Sequence, residues 1–232
     1  MIQIRQSTER GHLDHGWLDT YHTFSFGSYD DPNHMGFSEL RVINQDRVQA
    51  GQGFGTHGHQ DMEILSYVLE GVLEHRDSMG NGSRVLPGQV QFMSAGSGVT
   101  HSEFNGSAEE DVHFLQMWVL PAENGTQPRY GEMTVFESAD DGGFHLAASP
   151  DGRDGSIRIG ADVSMHVGRL ATGEVATHEL ARGRRAWLHL ATGALRVNGV
   201  DLEAGDGVAV ADEARLEMQS SGSAEFVLFD LP

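Results

Sequence analysis

The chain has 232 residues, of which 38% are hydrophobic and 21% are charged, as is typical of a globular protein with one large or two small domains. A formal net charge of −19 disfavours direct binding to nucleic acid or anionic membranes, because an acidic surface repels phosphate groups. The absence of cysteine excludes disulfides, thiol ligands and thiol nucleophiles.

The N-terminal third begins without a targeting signal and then shows short β-type patterns. Its first residues, MIQIRQSTER, lack the apolar run of a signal peptide, and no later segment approaches a membrane span. We therefore expect a cytoplasmic protein. Phe24 and Phe26 alternate with smaller residues, so the pattern places both on one face of a strand. The segment ELRVIN at 39–44 predicts a further short strand.

A series of short strands and turns follows from residue 62 to residue 120. The segments MEILSYVL at 62–69 and VLEHRD at 72–77 predict a hairpin joined by Glu70 and Gly71. The apolar run VHFLQMWVL at 112–120 predicts a long buried strand at the centre of the fold. Turn signals every 8–12 residues are typical of an antiparallel barrel or jelly roll.

The second half shows the same alternation of short strands and turns after an interruption. Residues 121–154 are rich in polar turns, and strand patterns resume beyond them. The segment at 187–210, WLHLATGALRVNGVDLEAGDGVAV, has the hairpin rhythm of the first half and indicates an internal repeat. Because its histidines, His166, His178 and His189, stand alone in sequence, we expect this half to be metal-free.

Two pairs of polar residues have the spacing of a metal site. His57 and His59 are two residues apart, and in a strand positions i and i+2 point to the same face. His101 and Glu103 repeat this spacing about 40 residues later. If both strands line one barrel, three imidazole nitrogens and one carboxylate converge. Such a set suits a divalent first-row transition metal that keeps open positions for substrate.

These motifs resemble the two cupin motifs, and the sequence segments around them resemble those of the pirin family. The first motif begins at Gly51 and contains His57 and His59; the second contains His101. The segments that resemble pirins are HTFSFGSYDDP at 22–32, ELRVINQDRV at 39–48, GFGTHGHQDMEILSYVLEGVLEHRDSMGN at 53–81 and the segment 87–103. The resemblance covers about the first 120 residues closely, whereas the C-terminal part resembles only a generic cupin.

The resemblance implies an all-β fold of two tandem cupin-type antiparallel β-barrels, a bicupin. We expect an N-terminal metal-binding domain at residues 1–125. Residues 126–232 would form a connector and a degenerate C-terminal cupin domain. A monomer is compatible with the sequence, which does not fix the oligomeric state.

Two glutamates compete for the carboxylate position of the site. In generic cupins the ligand lies four residues after the second histidine, which is Glu63, whereas in pirins it lies two after the third, which is Glu103. Strand parity allows both, and the closer pirin match favours Glu103. Asp61 is positioned in sequence to hydrogen-bond a ligating imidazole. His75 and His113 are interpreted as structural histidines.

The resemblance also implies a function. Bacterial proteins similar to pirin include flavonol 2,3-dioxygenases, which open the central ring of quercetin with dioxygen and release carbon monoxide. Fe(II) is the favoured cofactor, and Mn, Ni, Cu, Co or Zn also suit the donor set. Glu103 would act as the catalytic base as well as a ligand. The alternative is a metal-containing, redox-sensing regulator that acts through protein partners. The intact ligand set argues against a storage-like cupin.

Overall fold

A computed structural model describes all 232 residues, and almost every ordered element in it is a β-strand. The two helical elements are single 3-10 turns at Ser7–Glu9 and Arg153–Gly155. No helix is long and apolar enough to cross a bilayer. The expected all-β fold is therefore confirmed.

The strands are numbered in chain order. Those up to residue 134 are β1 (Ile2–Arg5), β2 (Gly11–Asp14), β3 (Leu18–His22), β4 (Leu40–Val48), β5 (Gly53–His59), β6 (Glu63–Glu70), β7 (Leu73–Asp77), β8 (Gly82–Val85), β9 (Gln89–Ser94), β10 (Val99–Asn105), β11 (Val112–Val119) and β12 (Arg129–Thr134). The remainder are β13 (Gly143–Ser149), β14 (Ile157–Arg158), β15 (Ser164–Leu170), β16 (Val175–Glu179), β17 (Arg185–Val197), β18 (Val200–Glu203), β19 (Gly207–Ala211) and β20 (Arg215–Leu231).

The first half of the chain forms a sandwich of two antiparallel sheets. A seven-stranded sheet runs in the order β12-β9-β6-β11-β4-β3-β2, and a four-stranded sheet runs β5-β10-β7-β8. The apolar run at 112–120 forms β11, the central strand of the larger sheet, as predicted. The two sheets meet around seven buried apolar residues that include Val68, Leu73 and Phe114.

The second half folds around two long strands, β17 and β20. They pair with each other and hold β15, β16, β18 and β19 on either side. Two shifts of register between β17 and β20, near Ala191 and Ala194, bend the strands. Such bulges increase twist and bending. The bends let β17 and β20 contribute to both walls of a second sandwich. The two-unit organisation is confirmed, although in neither unit do the hydrogen-bonded ladders close into a continuous barrel.

The two halves share the largest apolar core of the molecule. This core of 26 buried residues joins the outer face of the seven-stranded sheet, including Leu65 and Met117, to Val227 and Phe229 of β20. Full burial of each such side chain contributes about 1.5–3 kcal/mol relative to exposure. The second half therefore covers a sheet that would otherwise expose a wide apolar face.

The aromatic pair Phe24 and Phe26 departs from its predicted arrangement. Strand β3 ends at His22, and a bridge between Phe26 and Tyr29 marks a turn. Phe24 consequently packs against Trp187 in the shared core, with ring centroids 4.8 Å apart, whereas Phe26 packs against Trp118 at 5.2 Å. The alternating pattern was not that of a strand, because the chain turns between the two rings.

Two strands cross the sequence division proposed at residue 125. β1 pairs with β19 of the second half, with Ile2 opposite Val210. β12 lies beyond residue 125 yet pairs with β9 of the first half. The division into residues 1–125 and 126–232 stays a prediction.

Glu63 joins the two halves through a buried carboxylate. Its side chain is only 1% exposed. One oxygen accepts a hydrogen bond from the Ser94 hydroxyl at 2.5 Å, and the other accepts one from the Gly160 amide at 2.7 Å. A Cβ at position 160 would lie 3.2 Å from Oε1 of Glu63, so glycine permits the close approach. Glu63 is therefore a structural residue of the interface.

Truncation of Glu63 should destabilise the molecule. We expect Glu63→Ala to lower the free energy of unfolding by about 2–3 kcal/mol, because it leaves the Gly160 amide buried without an acceptor. Thermal and urea unfolding measure the change. The exposed Glu109 supplies a control, and Glu109→Ala should stay within about 0.5 kcal/mol of wild type. Equal losses for the two variants would contradict this role of Glu63.

Candidate metal centre

The register between β5 and β10 places the predicted histidines beside one another. In this antiparallel pair His57 lies directly opposite His101, and His59 lies opposite Val99. The burial pattern of β10 alternates, so Val99, His101, Glu103 and Asn105 point inwards. Each pair, His57 with His59 and His101 with Glu103, therefore shares one face of its strand, as the i, i+2 spacing predicts.

The three imidazole groups converge on one point. The distance from His101 Nε2 to His59 Nε2 is 3.0 Å, and that from His101 Nε2 to His57 Nε2 is 3.1 Å. All three nitrogens lie within 4.8 Å of one another. β5 and β10 carry all three histidines, so the pairing of these two strands is enough to bring them together.

This arrangement fits a metal ion better than a set of hydrogen bonds. The Nδ1 atom of His57 donates to the Gly55 carbonyl oxygen at 2.8 Å, which leaves Nε2 as an unprotonated acceptor. One proton on His101 Nε2 could satisfy only one of its two close neighbours, whereas a cation satisfies all three nitrogens. Adjacent ligands of an octahedral ion with metal–nitrogen bonds of about 2.1 Å lie about 3.0 Å apart. The two distances from His101 Nε2 to the other imidazoles match this separation.

The environment keeps the imidazoles of His59 and His101 neutral. Burial, followed by the nearby His57, lowers the pKa of His59 to about 4. Burial, followed by His57 and His59, lowers the pKa of His101 to about 3. A neutral imidazole has a lone pair free for coordination, so these groups need not lose a proton to bind a cation near neutral pH.

Glu103 lies on the buried side of the histidine cluster. Its Oε2 atom is 4.0 Å from His101 Nε2, and its side chain is nearly inaccessible. Gln116 donates to Oε2 at 2.7 Å, and the Ser66 hydroxyl donates to Oε1 at 3.3 Å. Burial raises the pKa of the carboxyl to about 7, even though the hydrogen bond from Ser66 acts in the opposite direction.

Glu63 and Asp61, the two other carboxylates considered for the site, point away from the histidines. Glu63 begins β6, which lies in the other sheet, and its carboxylate accepts a hydrogen bond from the Gly160 amide. Residues 57, 59 and 63 therefore do not share one strand, and strand parity does not place Glu63 with the histidines. The chain breaks its strand between β5 and β6, where Asp61 has a positive φ of 50°. The Asp61 carboxylate accepts from the Gly125 amide at 2.6 Å instead of orienting an imidazole.

Two further residues, His75 and Asp77, form a second layer behind His101 that the sequence did not indicate. His101 Nδ1 lies 3.4 Å from His75 Nδ1, and His75 Nε2 lies 3.3 Å from Asp77 Oδ2. If Nε2 of His101 held a cation, its Nδ1–H would donate to His75, and the Nε2–H of His75 would donate to Asp77. The antiparallel pairing of β7 with β10, two strands that are not consecutive in the chain, sets His75 opposite Glu103. Sequence alone did not indicate this pairing.

Aromatic groups form one side of the cluster. The Trp118 ring stands edge-on to His59 with centroids 4.9 Å apart and also contacts Phe26. Its indole Nε1–H is buried without a hydrogen-bond partner. Met117 and Trp118 both belong to the run at 112–120, which was predicted to form a buried strand. Met117 lies in the shared core, whereas Trp118 lies beside the candidate site.

The isolated histidines of the second half have other contacts. His178 Nε2 is 2.8 Å from Asp230 Oδ2, and His166 stacks on Phe144 at 4.9 Å. His189 is fully buried beside Gln45. The metal-free second half stays a prediction.

Comparisons with known proteins show the family of the chain. The Pirin family profile matches residues 3–119, and the profile of the quercetinase C-terminal cupin domain matches residues 146–231. The chain belongs to the pirin family. The expected cupin relationship of the second half is confirmed by the same comparison.

Relatives match along the whole length of this pirin. A quercetin 2,3-dioxygenase of Escherichia coli strain K12 is 50% identical over 232 residues, covering 100% of this chain and 99% of the relative. The crystal structure of the bacterial pirin YhhW from E. coli in complex with nickel(II) has a TM-score of 0.95 and 48% identity, covering 100% and 99% of the two chains. A quercetin 2,3-dioxygenase structure from Acinetobacter baumannii, at 20% identity and a TM-score of 0.79, shares the fold.

Removing a central histidine should abolish stoichiometric metal binding. We expect His57→Ala and His101→Ala to contain little metal after purification, because each loses one of the converging nitrogens. Elemental analysis of the folded variants measures this. One equivalent of metal retained in both variants would exclude the site.

The second layer should affect affinity without removing a ligand. We expect His75→Phe to weaken metal binding by about 10–100-fold, the usual effect of losing a group that orients a ligating histidine. Competition with a chelator measures the affinity. The exposed His15 supplies a control, and His15→Phe should bind as wild type does. An unchanged affinity in folded His75→Phe would exclude the orienting role.

Proposed function

We propose that this pirin is a metal-dependent dioxygenase that opens the ring of a flavonol or a similar enolisable phenol. The observation that carries the proposal is the convergence of the three Nε2 atoms of His57, His59 and His101 beside the carboxylate of Glu103. The quercetin 2,3-dioxygenase name of a relative that is 50% identical supports the substrate class.

The three histidines and Glu103 would hold one divalent ion. When bound, this ion supplies Lewis acidity towards a substrate hydroxyl and access to dioxygen chemistry. Iron(II) is favoured by the pirin resemblance, and the nickel(II) in YhhW shows that a relative accepts another ion. Because nickel and copper bind nitrogen-rich sites more tightly than iron, the metal recovered will depend on the growth medium.

Each residue of the site has a chemical task. The imidazoles hold the ion without adding negative charge, so its acidity towards the substrate is preserved. Glu103 takes the proton of the substrate hydroxyl, and its hydrogen bonds from Gln116 and Ser66 fix the carboxylate for that transfer. Phe26 and Trp118 provide an apolar side that suits a planar aromatic substrate and excludes water.

The decisive substitution is Glu103→Gln. It keeps the shape of the side chain and removes its capacity as a base, so we expect quercetin turnover to fall by about 10²–10⁴-fold. Quercetin loss and carbon monoxide release under air, measured per bound metal ion, report the rate. Metal-stripped wild type should be inactive.

Glu63→Gln provides the matched control for this experiment. It removes the negative charge of another buried glutamate that lies away from the histidines, and it should retain the turnover rate per folded, metal-loaded molecule. Equal rates in wild type, Glu103→Gln and metal-stripped protein would rule out this chemistry at the site. A full metal complement with no flavonol consumption would instead favour the redox-sensing regulator.

A further inference from the structure

A second polar site lies in the cleft between the two halves, on the far face of the seven-stranded sheet from the histidine cluster. The cleft has a volume of about 280 Å³. One wall carries Arg10, Arg47 and His113, and the other is formed by the segments 191–193 and 204–205. Gln45 occupies its floor and points away from Asn44, its neighbour in β4, which contacts His22 inside the sandwich.

Arg10 is a largely buried cation without an ion-pair partner. Its only side-chain hydrogen bond runs from Nη1 to Gln45 Oε1 at 3.2 Å, and its buried Nε–H has no acceptor. Asp206 attracts it from a distance, yet the Asp206 carboxylate already accepts from the Ser7 and Glu203 amides. Burial lowers the pKa of Arg10 to about 10, so the guanidinium remains charged at neutral pH.

Packing fixes the position of this guanidinium at the wall of the cleft. Arg10 packs over the ring of Tyr21 at 5.1 Å, which fixes its plane on one side. A Cβ at position 205 would lie 2.6 Å from Arg10 Nη2, and Gly205, with a φ of 88°, avoids that contact. The guanidinium is therefore held in place by packing while part of its donor set lacks acceptors.

His113 adds a second unused donor. Gln45 donates through Nε2 to His113 Nε2 at 3.0 Å, which places the imidazole proton on Nδ1. That Nδ1–H is buried without a hydrogen-bond partner, in a residue only 4% exposed; the nearest carboxylate, Glu70, is 3.9 Å away. His113 is thus a buried polar side chain whose remaining hydrogen-bonding capacity is unmet, at the wall of the cleft.

The charges around the cleft favour an anion despite the acidity of the whole chain. The protein has no lysine, and its 15 cationic side chains are all arginines. Two of them line this cleft. Arg47 pairs only with the exposed Glu70, at 2.8 Å, and such surface pairs are weak enough to yield to a ligand. The one lining carboxylate, Asp19, is 2.6 Å from His12 Nε2.

We propose that this cleft binds a small oxyanion, a phosphate or a dicarboxylate, between Arg10, Arg47 and His113. The planar fork of a guanidinium matches the oxygen atoms of either group. A volume of about 280 Å³ admits such an anion but falls below the range of drug-sized ligands. Because its walls come from both halves, the bound anion would also tie the second half to the first.

Calorimetric titration of the metal-loaded, full-length protein tests the proposal. Inorganic phosphate and malonate are titrated separately at constant ionic strength, with chloride as the reference anion. We expect saturable binding of phosphate or malonate, accompanied by a rise in melting temperature. Preference for phosphate would identify a tetrahedral ligand and preference for malonate a dicarboxylate, and either result supports an oxyanion site.

Three variants locate the binding. Arg10→Gln should weaken the affinity by at least about tenfold, because it removes the guanidinium charge and fork. Arg47→Gln, at a half-exposed position, should weaken it by several-fold and serves as the test if Arg10→Gln does not fold. Arg196→Gln, an exposed arginine paired with Asp201, should bind as wild type does. Absence of saturable binding to wild type, or equal affinities in Arg47→Gln, Arg196→Gln and wild type, would overturn the proposal.

Discussion

The antiparallel register between β5 and β10 is the constraint on which the candidate site depends. His57 faces His101 across this pair, and a shift of one residue would turn one set of imidazoles to the opposite face. The register is irregular between His101 and Glu103, where the ladder contains a bulge. Bulges re-aim side chains, and this one lies between the histidine that meets β5 and the glutamate that meets β6 and β11.

The second half contributes no residue to the histidine cluster, yet it supports the sheet behind it. The seven-stranded sheet provides Ser66 and Gln116 to Glu103 on one face and buries Leu65 and Met117 against the second half on the other. Loss of the shared core would expose that outer face and loosen the strands that hold the carboxylate. The C-terminal cupin unit thus acts as a structural support, and the seven-stranded sheet connects it to the histidine cluster.

The parts of the structure that sequence predicted are those set by local periodicity. The pairs at residues 57 and 59 and at 101 and 103 share strand faces because side chains alternate along a strand, and β11 lies where its apolar run places it. The misplaced residues depend on events between elements. Asp61 lies in a turn with positive φ, and Glu63 begins a strand in a different sheet. The contact of His75 with His101 depends on the pairing of β7 with β10. The predicted hairpin of 62–69 with 72–77 was wrong, because β6 and β7 lie in different sheets.

The pairing of β1 with β19 has a consequence for how the chain is made. Ile2 is synthesised long before its partner Val210, because the two residues are far apart in the chain. β1 therefore cannot pair until β19 has been synthesised, whereas β5 and β10, which carry the histidine cluster, are complete by residue 105. Contacts this distant in sequence slow folding. Since the amino group of Met1 donates to the Ala211 carbonyl, an affinity tag fused there would begin at a sheet edge, whereas most chain termini are free.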